Sequence, residues 1–202
     1  MEVKRRTQEE RSAATRAALV AAARPLWAAR GYTDVGTPEI AAAAGVTRGA
    51  MYHQFADKAA LFLAVVEAVE EDATRRLAEG VVASGASSPA AALRAATDQW
   101  LDLAQEPEVR QIVLLDAPVV LGWAGFRDVA LKYGLGLTEQ LLQAAMDTGQ
   151  IAPHPLRALA HVLIGALDEA ALVIATADDA AAARAEVAQV LQALLDGLLI
   201  QE

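Results

Sequence analysis

The side chains best suited to chemistry lie close together, between Thr37 and Lys58. This stretch supplies threonine hydroxyls, the Arg48 guanidinium, the Tyr52 phenol and the Lys58 ammonium group. Such groups donate hydrogen bonds or carry positive charge, and they suit contacts with phosphate oxygens and with the edges of nucleic-acid bases. The segment is therefore a candidate for polyanion recognition rather than for bond cleavage.

The rest of the sequence offers little material for catalysis or metal binding. The 202 residues include no cysteine, and the three histidines are His53, His154 and His161. Disulfides, thiolate catalysis and cysteine-ligated metals are therefore excluded. There is no HExxH motif, P-loop or dinucleotide-binding glycine motif, and no carboxylate cluster completes a metal site beside His154 and His161. We predict that the protein is not an enzyme and holds no metal ion and no cofactor.

The composition predicts an all-α protein. Alanine, which has the highest intrinsic helix propensity, accounts for 49 residues, whereas aromatic residues make up only 4% of the chain. Hydrophobic residues make up 55%, which is enough to bury a sizeable core. A chain of this length forms one compact domain, or a small domain joined to a larger one.

The charge is distributed unevenly along the chain. Residues 1–58 hold nine lysines and arginines against six acids, which is a net charge of +3, whereas the whole chain carries −9. The remainder therefore carries −12. This asymmetry is expected of a small polyanion-binding head on an acidic body, and the alternative is a solvated helical surface with chance unevenness.

Helix caps and breakers predict nine helical segments. The first follows a mobile polar arm (residues 1–12), runs from about Thr15 to Arg30, ends at Gly31 and kinks at Pro25. The next three begin at the caps Thr37, Thr47 and Asp57 and run to about Ala44, Phe55 and Glu79. The remaining segments are predicted at about 89–105, 108–117, 123–148, 156–175 and 179–199.

Residues 37–55 predict a helix, a short turn and a second helix. Gly45 permits the sharp turn, and Val46 can fill the junction between the helices. The small apolar face that includes Ile40 and Ala44 lets the two helices cross closely. In a helix-turn-helix of this kind the second helix lies in the DNA major groove, with its N-terminal residues facing base edges.

The segment TPEIAAAAGVTRGAMYHQFADKAAL (Thr37–Leu61), with LWAARGY upstream (Leu26–Tyr32), resembles the DNA-binding signature of the tetracycline-repressor (TetR) family. The matching positions are Gly31, Tyr32, Thr37, Ile40, Ala41, Ala44, Gly45, Val46, Gly49, Tyr52, Phe55, Lys58 and Leu61. The residues that follow match only in length and helical character. Pro25 and Gly36 depart from the pattern and affect local stability more than DNA binding.

The resemblance implies an N-terminal helix-turn-helix DNA-binding domain of three helices (residues 1–57) and a C-terminal helical domain for ligand binding and dimerisation (residues 58–202). It also implies a homodimer that binds a pseudo-palindromic double-stranded DNA operator as a repressor. A small, mostly apolar effector of unknown identity would release it. The alternative is a helical small-molecule-binding protein whose DNA-binding head is weak or vestigial.

Four residues resemble the family's backbone contacts to DNA. Thr37 and Thr47 are predicted at helix N-termini, where backbone N–H groups can hold a phosphate, and simple N-capping is the alternative role. Tyr52 and Lys58 resemble phosphate contacts, which set the register of the protein on DNA rather than its choice of sequence.

Other residues of the second helix are candidates for reading bases. Arg48 could bind a guanine through two hydrogen bonds, or it could be one more phosphate contact. Gly49 permits a close approach to DNA, and Ala50 could touch a thymine methyl group. His53 and Gln54 could reach a phosphate or a base. The basic residues of the arm (Lys4, Arg5, Arg6 and Arg11) could follow phosphates or enter a minor groove, or the arm could be a disordered tail.

The C-terminal half contains two apolar helical stripes that could form a dimer face. The last helix contributes Val187, Val190, Leu191, Leu194, Leu195 and Leu198. The preceding helix contributes Leu156, Leu159, Leu163, Leu167, Ala170 and Ala171. Two such helices from each subunit could pair into a four-helix interface, and packing within one subunit is the alternative.

Residues in the middle of the chain could line an effector cavity, although each could equally be core. The candidates are Trp100, Leu103, Leu114, Asp116, Trp123, Phe126, Tyr133, Leu141, Met146, His161 and Asp168. Asp116 and Asp168 stand in apolar runs, so each needs a partner such as Arg110 or Arg127, a helix to cap, an exit to water or a cationic ligand.

The sequence predicts a cytoplasmic protein with no membrane partner. No secretory segment is recognisable at the N-terminus. Residues 111–126 come closest to an apolar span, but Asp116, Pro118 and Gly122 interrupt them.

Overall fold

The computed structural model describes residues 7–200, and within that range nine α-helices and one π-helical segment carry the fold. The α-helices are α1 (Gln8–Asp34), α2 (Thr37–Ala43), α3 (Arg48–Gln54), α4 (Lys58–Ala83), α5 (Pro89–Leu103), α6 (Ala117–Val120), α7 (Gly122–Asp147), α8 (Leu156–Thr176) and α9 (Ala180–Leu198). The π-helical segment Val109–Asp116 precedes α6. The described residues contain no β-strand, only one antiparallel bridge between Ile151 and Leu199. The predicted all-α class is confirmed.

Helix α1 begins earlier than the sequence reading expected. The Thr7 hydroxyl accepts a hydrogen bond from the Glu10 N–H at 3.2 Å, and the Glu10 carboxylate accepts one from the Thr7 N–H at 2.8 Å. This reciprocal capping box starts the helix at Gln8, so the prediction of a mobile arm was wrong for residues 7–12 and Arg11 is helical. The arm residues Lys4, Arg5 and Arg6 lie outside the described residues.

The interruption in α1 lies at Gly31, where the backbone turns with φ 77° and ψ 168°. The prediction that Gly31 stops the helix was therefore sound, whereas Pro25 is not where the helix is interrupted. A positive φ is strained for any residue with a Cβ atom, which explains the glycine. The turn places Tyr32 against the start of α4 and against the π-helical segment.

An aromatic cluster joins α1 to α4 in the N-terminal head. The Trp27 and Phe62 rings meet edge to face with centroids 5.2 Å apart, and the Tyr32 and Phe62 rings do so at 4.9 Å. Ile40 of α2 and Met51 of α3 are fully buried in the same core. The short helices α2 and α3 therefore depend on α1 and α4 for their packing, because helices of seven residues are marginal alone.

The body is a helical bundle built around α4, α5, α7 and α8, with α9 packed on α5 and α8. The π-helical segment lies between α1 and α8, where Ile112, Val113 and Leu114 are buried. A second apolar cluster, which includes Leu142, Ile151 and Leu195, closes the far end of the bundle.

By length and composition alone, helix α8 is long and apolar enough to span a membrane. It has 21 residues and a mean hydropathy of 1.8 over its most apolar window. The sequence reading had placed the most apolar stretch at residues 111–126 instead. Of the apolar window in α8, 44% is buried inside the folded chain. Much of the apolar surface of α8 is therefore used in packing against α7 and α9.

We expect Gly31→Ala to destabilise the fold by about 1–3 kcal/mol, because alanine at a positive φ is strained. Its Cβ would also lie 3.1 Å from the Gln111 Nε2 atom. Equilibrium denaturation at a fixed protein concentration measures the change.

Gly136→Ala in α7 is the matched control, because an added Cβ there meets nothing within 4 Å. It should leave stability unchanged or raise it by up to about 1 kcal/mol. Equal stability of the two variants would contradict the role given to Gly31.

Candidate nucleic-acid interface and internal cavity

Helix α3 exposes one face to solvent and buries the other. Met51, and Phe55 just after the end of α3, are buried in the core of the N-terminal head. The opposite face presents Arg48, Gly49 and His53, all exposed, together with Tyr52, whose relative exposure is 42%. The predicted base-reading residues therefore share the open side of the second helix of a helix-turn-helix, while Ala50 is half-buried.

Thr47 and the Gly45 turn set the start of α3. The Thr47 hydroxyl accepts a hydrogen bond from the Ala50 N–H at 3.1 Å, as the capping prediction required. Gly45 has φ 67°, and the Val46 N–H donates to the Ala41 carbonyl at 2.9 Å. Because Val46 packs against the core, the turn fixes the angle at which α3 leaves α2.

Thr37 occupies a different position from the one predicted. Gly36 is the N-cap residue of α2, and Thr37 is the first helical residue with Pro38 beside it. The prediction that Thr37 caps the helix was therefore wrong, because its side chain turns inward. It is buried, and its hydroxyl lies 3.3 Å from the Tyr52 hydroxyl. Thr37 thus links α2 to the exposed face of α3.

The Arg48 guanidinium lies beside the Tyr52 ring, with its Cζ atom 5.5 Å from the ring centroid. The two residues are four apart and share one side of α3. Hydrogen bonds with Thr37 and then with Arg48 hold the pKa of the Tyr52 phenol below its ordinary value. Arg48 and Tyr52 therefore form one polar surface that is open to solvent.

Helix α1 braces the end of α3. The Arg16 guanidinium lies over the Phe55 ring at 4.2 Å, and Ser12 hydrogen-bonds the Gln54 side chain at 3.1 Å. The sequence analysis assigned no role to Ser12 or Arg16. The two residues are four positions apart, so the sequence indicated that they share one side of α1. It did not indicate which helix that side would contact.

Lys58 lies at the junction of head and body. Its Nζ atom donates to the Tyr32 carbonyl at 2.5 Å and lies 4.0 Å from the centre of the Tyr32 ring. Burial lowers the pKa of the Lys58 ammonium group, and the charges of Asp116 and Asp34 act in the opposite direction. The role of Lys58 as a phosphate contact stays a prediction, because in the free protein its ammonium group is engaged with Tyr32.

The body contains a mostly apolar cavity of about 70 Å³. It lies between α4, α5, α7 and α8, and it exceeds several-fold the ~10–15 Å³ that one water molecule needs. Its apolar wall consists of Leu77, Leu93, Ala96, Trp100, Ala130, Gly134, Leu137, Leu141, Leu163, Ile164 and Leu167. Its polar groups come from Glu70, Thr74, Thr97, Thr138 and Asp168.

The structure brings three of the eleven predicted pocket residues to this cavity, Trp100, Leu141 and Asp168. Leu103, Leu114 and Phe126 are buried in the main core instead. In the sequence these three residues look like the apolar residues that do line the cavity. The two groups differ only in the direction in which their side chains point.

The other predicted pocket residues lie on other surfaces. Trp123 is 62% exposed at the start of α7, and Tyr133 borders an outer groove between α1 and α4. Met146 packs against the second apolar cluster, and His161 borders a shallow surface beside Leu156. Residue type alone did not predict which of these residues line the cavity, because it does not tell which neighbouring helix each side chain faces.

The two aspartates in apolar runs have different partners. Asp168 pairs with Arg127, whose Nη1 atom lies 2.6 Å from a carboxylate oxygen. No arginine of the described residues 7–200 pairs with Asp116. The Asp116 carboxylate accepts hydrogen bonds from the Tyr32 N–H at 2.7 Å and from the Gln111 side chain at 3.1 Å. Asp116 therefore ties the π-helical segment to the turn after α1 and does not face the cavity.

Glu70 is the polar cavity residue that the sequence analysis missed. Its relative exposure is 6%, and its carboxyl group opens into the cavity without a hydrogen bond to any residue in the range 7–200. The polar side-chain atom of that range that is both fully buried and without a partner is Trp27 Nε1 in the head, not an atom of Glu70. Burial, and secondly the charge of Asp168, raise its pKa to about 8. Glu70 follows the buried α4 positions Val66 and Val69 and precedes Ala73 at helical spacing, so the pattern did contain this signal.

The two apolar stripes divide between the subunit interior and its surface. Leu163, Ala170, Ala171, Leu191 and Leu195 are buried within the chain. Four other apolar side chains of the same helices remain exposed, and we call them the α8–α9 face: Val162, Val173, Val190 and Leu194. Helix α8 therefore has apolar residues on its inner and outer sides.

We expect Glu70→Gln to change how stability depends on pH. The native pKa of about 8 lies above the ordinary value of about 4.3, so folded wild type holds an extra proton between those values. The stability that the folded state gains by holding this proton is complete below pH ~4.3 and is lost as the pH rises through 8. The variant should match wild type near pH 5 and exceed it near pH 8, with a difference that grows by at most about 1.4 kcal/mol per pH unit.

Urea denaturation from about pH 5 to pH 8 measures this difference. Glu67→Gln is the control, because Glu67 lies one turn earlier on α4 and pairs with Lys132 at the surface. Parallel pH profiles of Glu70→Gln and wild type would contradict the burial of a protonated Glu70.

Two family models match separate parts of the chain. Residues 19–65 match the family model described as bacterial regulatory proteins, tetR family. Residues 90–198 match the model described as tetracyclin repressor-like, C-terminal domain. The first match contains the helix-turn-helix, and the second contains α5 to α9.

Individual relatives agree with the family models. The HTH-type transcriptional regulator CymR of Pseudomonas putida is 42% identical over 76 residues, which span 38% of this chain and 37% of that protein. A TetR-family regulator from Pectobacterium atrosepticum is 35% identical over 97% of this chain and 99% of the other, with a TM-score of 0.84. RolR, solved in complex with resorcinol, shares the fold at 21% identity and a TM-score of 0.77, over 96% of this chain and 92% of its own.

The helix-turn-helix, the helical body and the two family matches agree, and the Pectobacterium regulator extends the likeness over almost the whole chain. This family consists of transcriptional regulators rather than enzymes, and its members are typically ligand-responsive DNA-binding repressors. The chain belongs to the TetR family of bacterial transcriptional regulators.

Proposed function

We propose that this protein is a dimeric repressor that binds a pseudo-palindromic operator through α3 and leaves it when a small effector enters the body cavity. The observation that carries the proposal is the exposed Arg48–Tyr52 surface on the second helix of a helix-turn-helix. Repression is the typical activity of the family. A cytoplasmic location follows from a target that is DNA.

The exposed residues of α3 have distinct proposed roles. Arg48 reads a base edge in the major groove, with Gly49 and Ala50 allowing a close approach. Tyr52 and His53 contact the backbone or a neighbouring base. The N-terminus of α3, capped by Thr47, and Lys58 at the start of α4 contribute phosphate contacts, which fix the register. Thr37 acts through Tyr52, because it is buried beside the phenol hydroxyl.

Dimerisation through the α8–α9 face would place two α3 helices on one side of a DNA duplex. Four apolar side chains exposed on two adjacent helices favour a protein partner over solvent. A two-fold axis between such helices gives a four-helix interface and presents two recognition helices to half-sites about one turn, or ~34 Å, apart.

Helix α4 offers a route from the cavity to the DNA-binding surface. It begins at Lys58 in the head and reaches the cavity at Glu70, twelve residues or about 18 Å along one helix. A ligand that favours one position of α4 would change the spacing of the two α3 helices in the dimer. A coupling of ~1–3 kcal/mol suffices for a clear response.

The cavity supports a compact effector with a largely apolar body. Its wall is mostly aliphatic, with Trp100 as the aromatic member. RolR, which shares the fold, was crystallised with the small aromatic compound resorcinol. We retain the division into a DNA-binding domain (residues 1–57) and a ligand-binding and dimerisation domain (residues 58–202) as part of this proposal.

A second candidate function is a helical ligand-binding protein whose head binds DNA weakly. The two candidates differ in sequence selectivity on DNA, so the operator can be sought by selection from a random DNA library. Recovery of a pseudo-palindromic sequence would support the repressor, and failure to enrich any sequence would support the alternative.

We expect Arg48→Ala to weaken binding to the selected operator by roughly 10–100-fold, the cost of losing one two-bonded base contact. Fluorescence anisotropy across a salt series measures the affinity. If Arg48 reads a base, selectivity at one operator position also relaxes. If it contacts only a phosphate, affinity falls on all sequences and the salt slope drops by about one.

Arg157→Ala is the charge-matched control, because the Arg157 side chain is 74% exposed at the start of α8, outside the helix-turn-helix. It should bind the operator like wild type. Wild-type affinity and selectivity in Arg48→Ala would overturn the assignment of α3 as the reading helix.

We expect Leu194→Glu to convert the dimer into a monomer, because it places a carboxylate in the centre of the α8–α9 face. Sedimentation velocity measures the mass, and operator affinity should fall with it. Val82→Glu, at the exposed end of α4, is the control for adding a surface carboxylate. A dimeric Leu194→Glu protein would place the interface elsewhere.

A further inference from the structure

We propose that the body cavity binds a compact organic amine, whose ammonium group lies between the carboxyl groups of Glu70 and Asp168. The cavity alone carries this inference about ligand class. It rests on the proposed function only for its consequence, which is that such an amine releases the repressor from DNA.

Glu70 is a buried polar group that lacks a partner. Its carboxyl group borders the cavity and makes no hydrogen bond with any residue in the range 7–200. A buried carboxyl in this state is costly, and a ligand that hydrogen-bonds it recovers that cost. The nearby Thr97 hydroxyl does not meet this need, because it donates to the Leu93 carbonyl. Glu70 therefore marks the polar end of the ligand.

Asp168 places a second carboxylate in the same wall. One of its oxygens binds Arg127, which balances one of the two acidic groups. The negative charge of Asp168 adds to burial in raising the pKa of Glu70. The empty cavity is thus neutral with Glu70 protonated, and it stays neutral when a cation enters and Glu70 releases its proton. An anionic ligand would instead add a charge beside two acids.

The other charged side chains around α4 lie outside the cavity wall. Among the described residues, only Asp168 with its partner Arg127 faces Glu70 across the cavity. The remaining ion pairs of the described residues on α4 and on the elements packed against it are Arg24 with Asp72 and Glu108, Arg30 with Glu39, Arg75 with Asp72 and Glu79, Arg76 with Glu106, Arg94 with Asp196, Lys132 with Glu67, Arg157 with Glu139 and Arg184 with Asp102. None of these groups borders the cavity.

The rest of the wall suits the apolar part of such an amine. Trp100 is held in place because its indole N–H donates to the Leu167 carbonyl at 3.2 Å. A fixed indole attracts a desolvated cation by cation–π interaction and packs against an aliphatic or aromatic body. Leu141 and Ile164 border the same space. An ammonium group has three donors, so it can contact both carboxylates, whereas a hydroxyl has one.

The proton balance gives the proposal a measurable signature. The free amine is an ammonium ion near neutral pH, and binding ionises the Glu70 carboxyl group with release of one proton to solvent. Below pH 8 the affinity should therefore rise about tenfold per pH unit. Work above about pH 6.5 keeps Asp168 ionised, since burial raises its pKa to about 6 against the opposing effect of Arg127.

Isothermal titration calorimetry of the full-length protein tests this directly. The probes are propylamine, cyclohexylamine and benzylamine, each compared with the alcohol that carries a hydroxyl in place of the amino group. Titration in two buffers of different ionisation enthalpy counts the protons released. We expect at least one amine to bind with a Kd of the order of 1 mM or tighter, with about one proton released near pH 6.5. The matching alcohol should bind at least tenfold more weakly, without proton release.

Glu70→Gln and Glu67→Gln separate the cavity from the surface. Glu70→Gln should lose at least tenfold in amine affinity together with the proton release and the pH dependence. Glu67→Gln removes a carboxylate from the same helix outside the cavity and should bind like wild type. Circular dichroism of both variants checks that they are folded.

The results divide clearly. The proposal is overturned if no amine binds, if the alcohol binds as well as its amine, or if Glu70→Gln binds the amine with unchanged proton release. Release of DNA is measured separately, by adding the amine to the complex with library-selected DNA. An amine that binds with proton release but leaves the DNA complex intact would support the ligand class and overturn the proposed effector function.

Discussion

The fold depends on how the peptide groups on either side of Tyr32 are held. The Tyr32 N–H donates to Asp116 of the π-helical segment, and the Tyr32 carbonyl accepts from Lys58 of α4. One residue at the end of α1 is thereby fixed by the body on one side and by the first residue of α4 on the other. Gly31 makes this possible, because its positive φ turns the chain toward both partners. Head and body are joined here by directional bonds as well as by apolar packing.

This arrangement makes α4 the shared element of the molecule. Its first turns complete the aromatic core of the head through Phe62, and its middle forms one wall of the cavity through Glu70. A movement of α4 that accommodates a ligand therefore acts on Lys58 and on the Tyr32 turn. The Glu70 carboxyl is buried and makes no hydrogen bond among the described residues, and a costly group of this kind is typical of binding sites.

Local signals in the sequence predicted the helix-turn-helix more completely than the cavity. Thr47, Gly45 and Asp57 act through bonds to residues three or four positions away, so their roles as caps and turn were readable. Thr37 was misplaced by one position, because Gly36 caps α2 and the Thr37 side chain turns toward Tyr52. The prediction of the cavity residues was mostly wrong for a related reason. Leu114 and Leu163 look alike in sequence, but one is core and the other lines the cavity.

The sequence by itself determined the all-α class, most helix boundaries and the helix-turn-helix, since helix propensity, caps and glycine turns act within a few residues. Only the tertiary structure decided which side chains meet. It paired Asp116 with the Tyr32 turn, Asp168 with Arg127 and Ser12 with Gln54, across gaps of 41 to 84 residues. It also left Glu70 facing a cavity. Such contacts depend on the angles at which helices cross, and no local pattern encodes those angles.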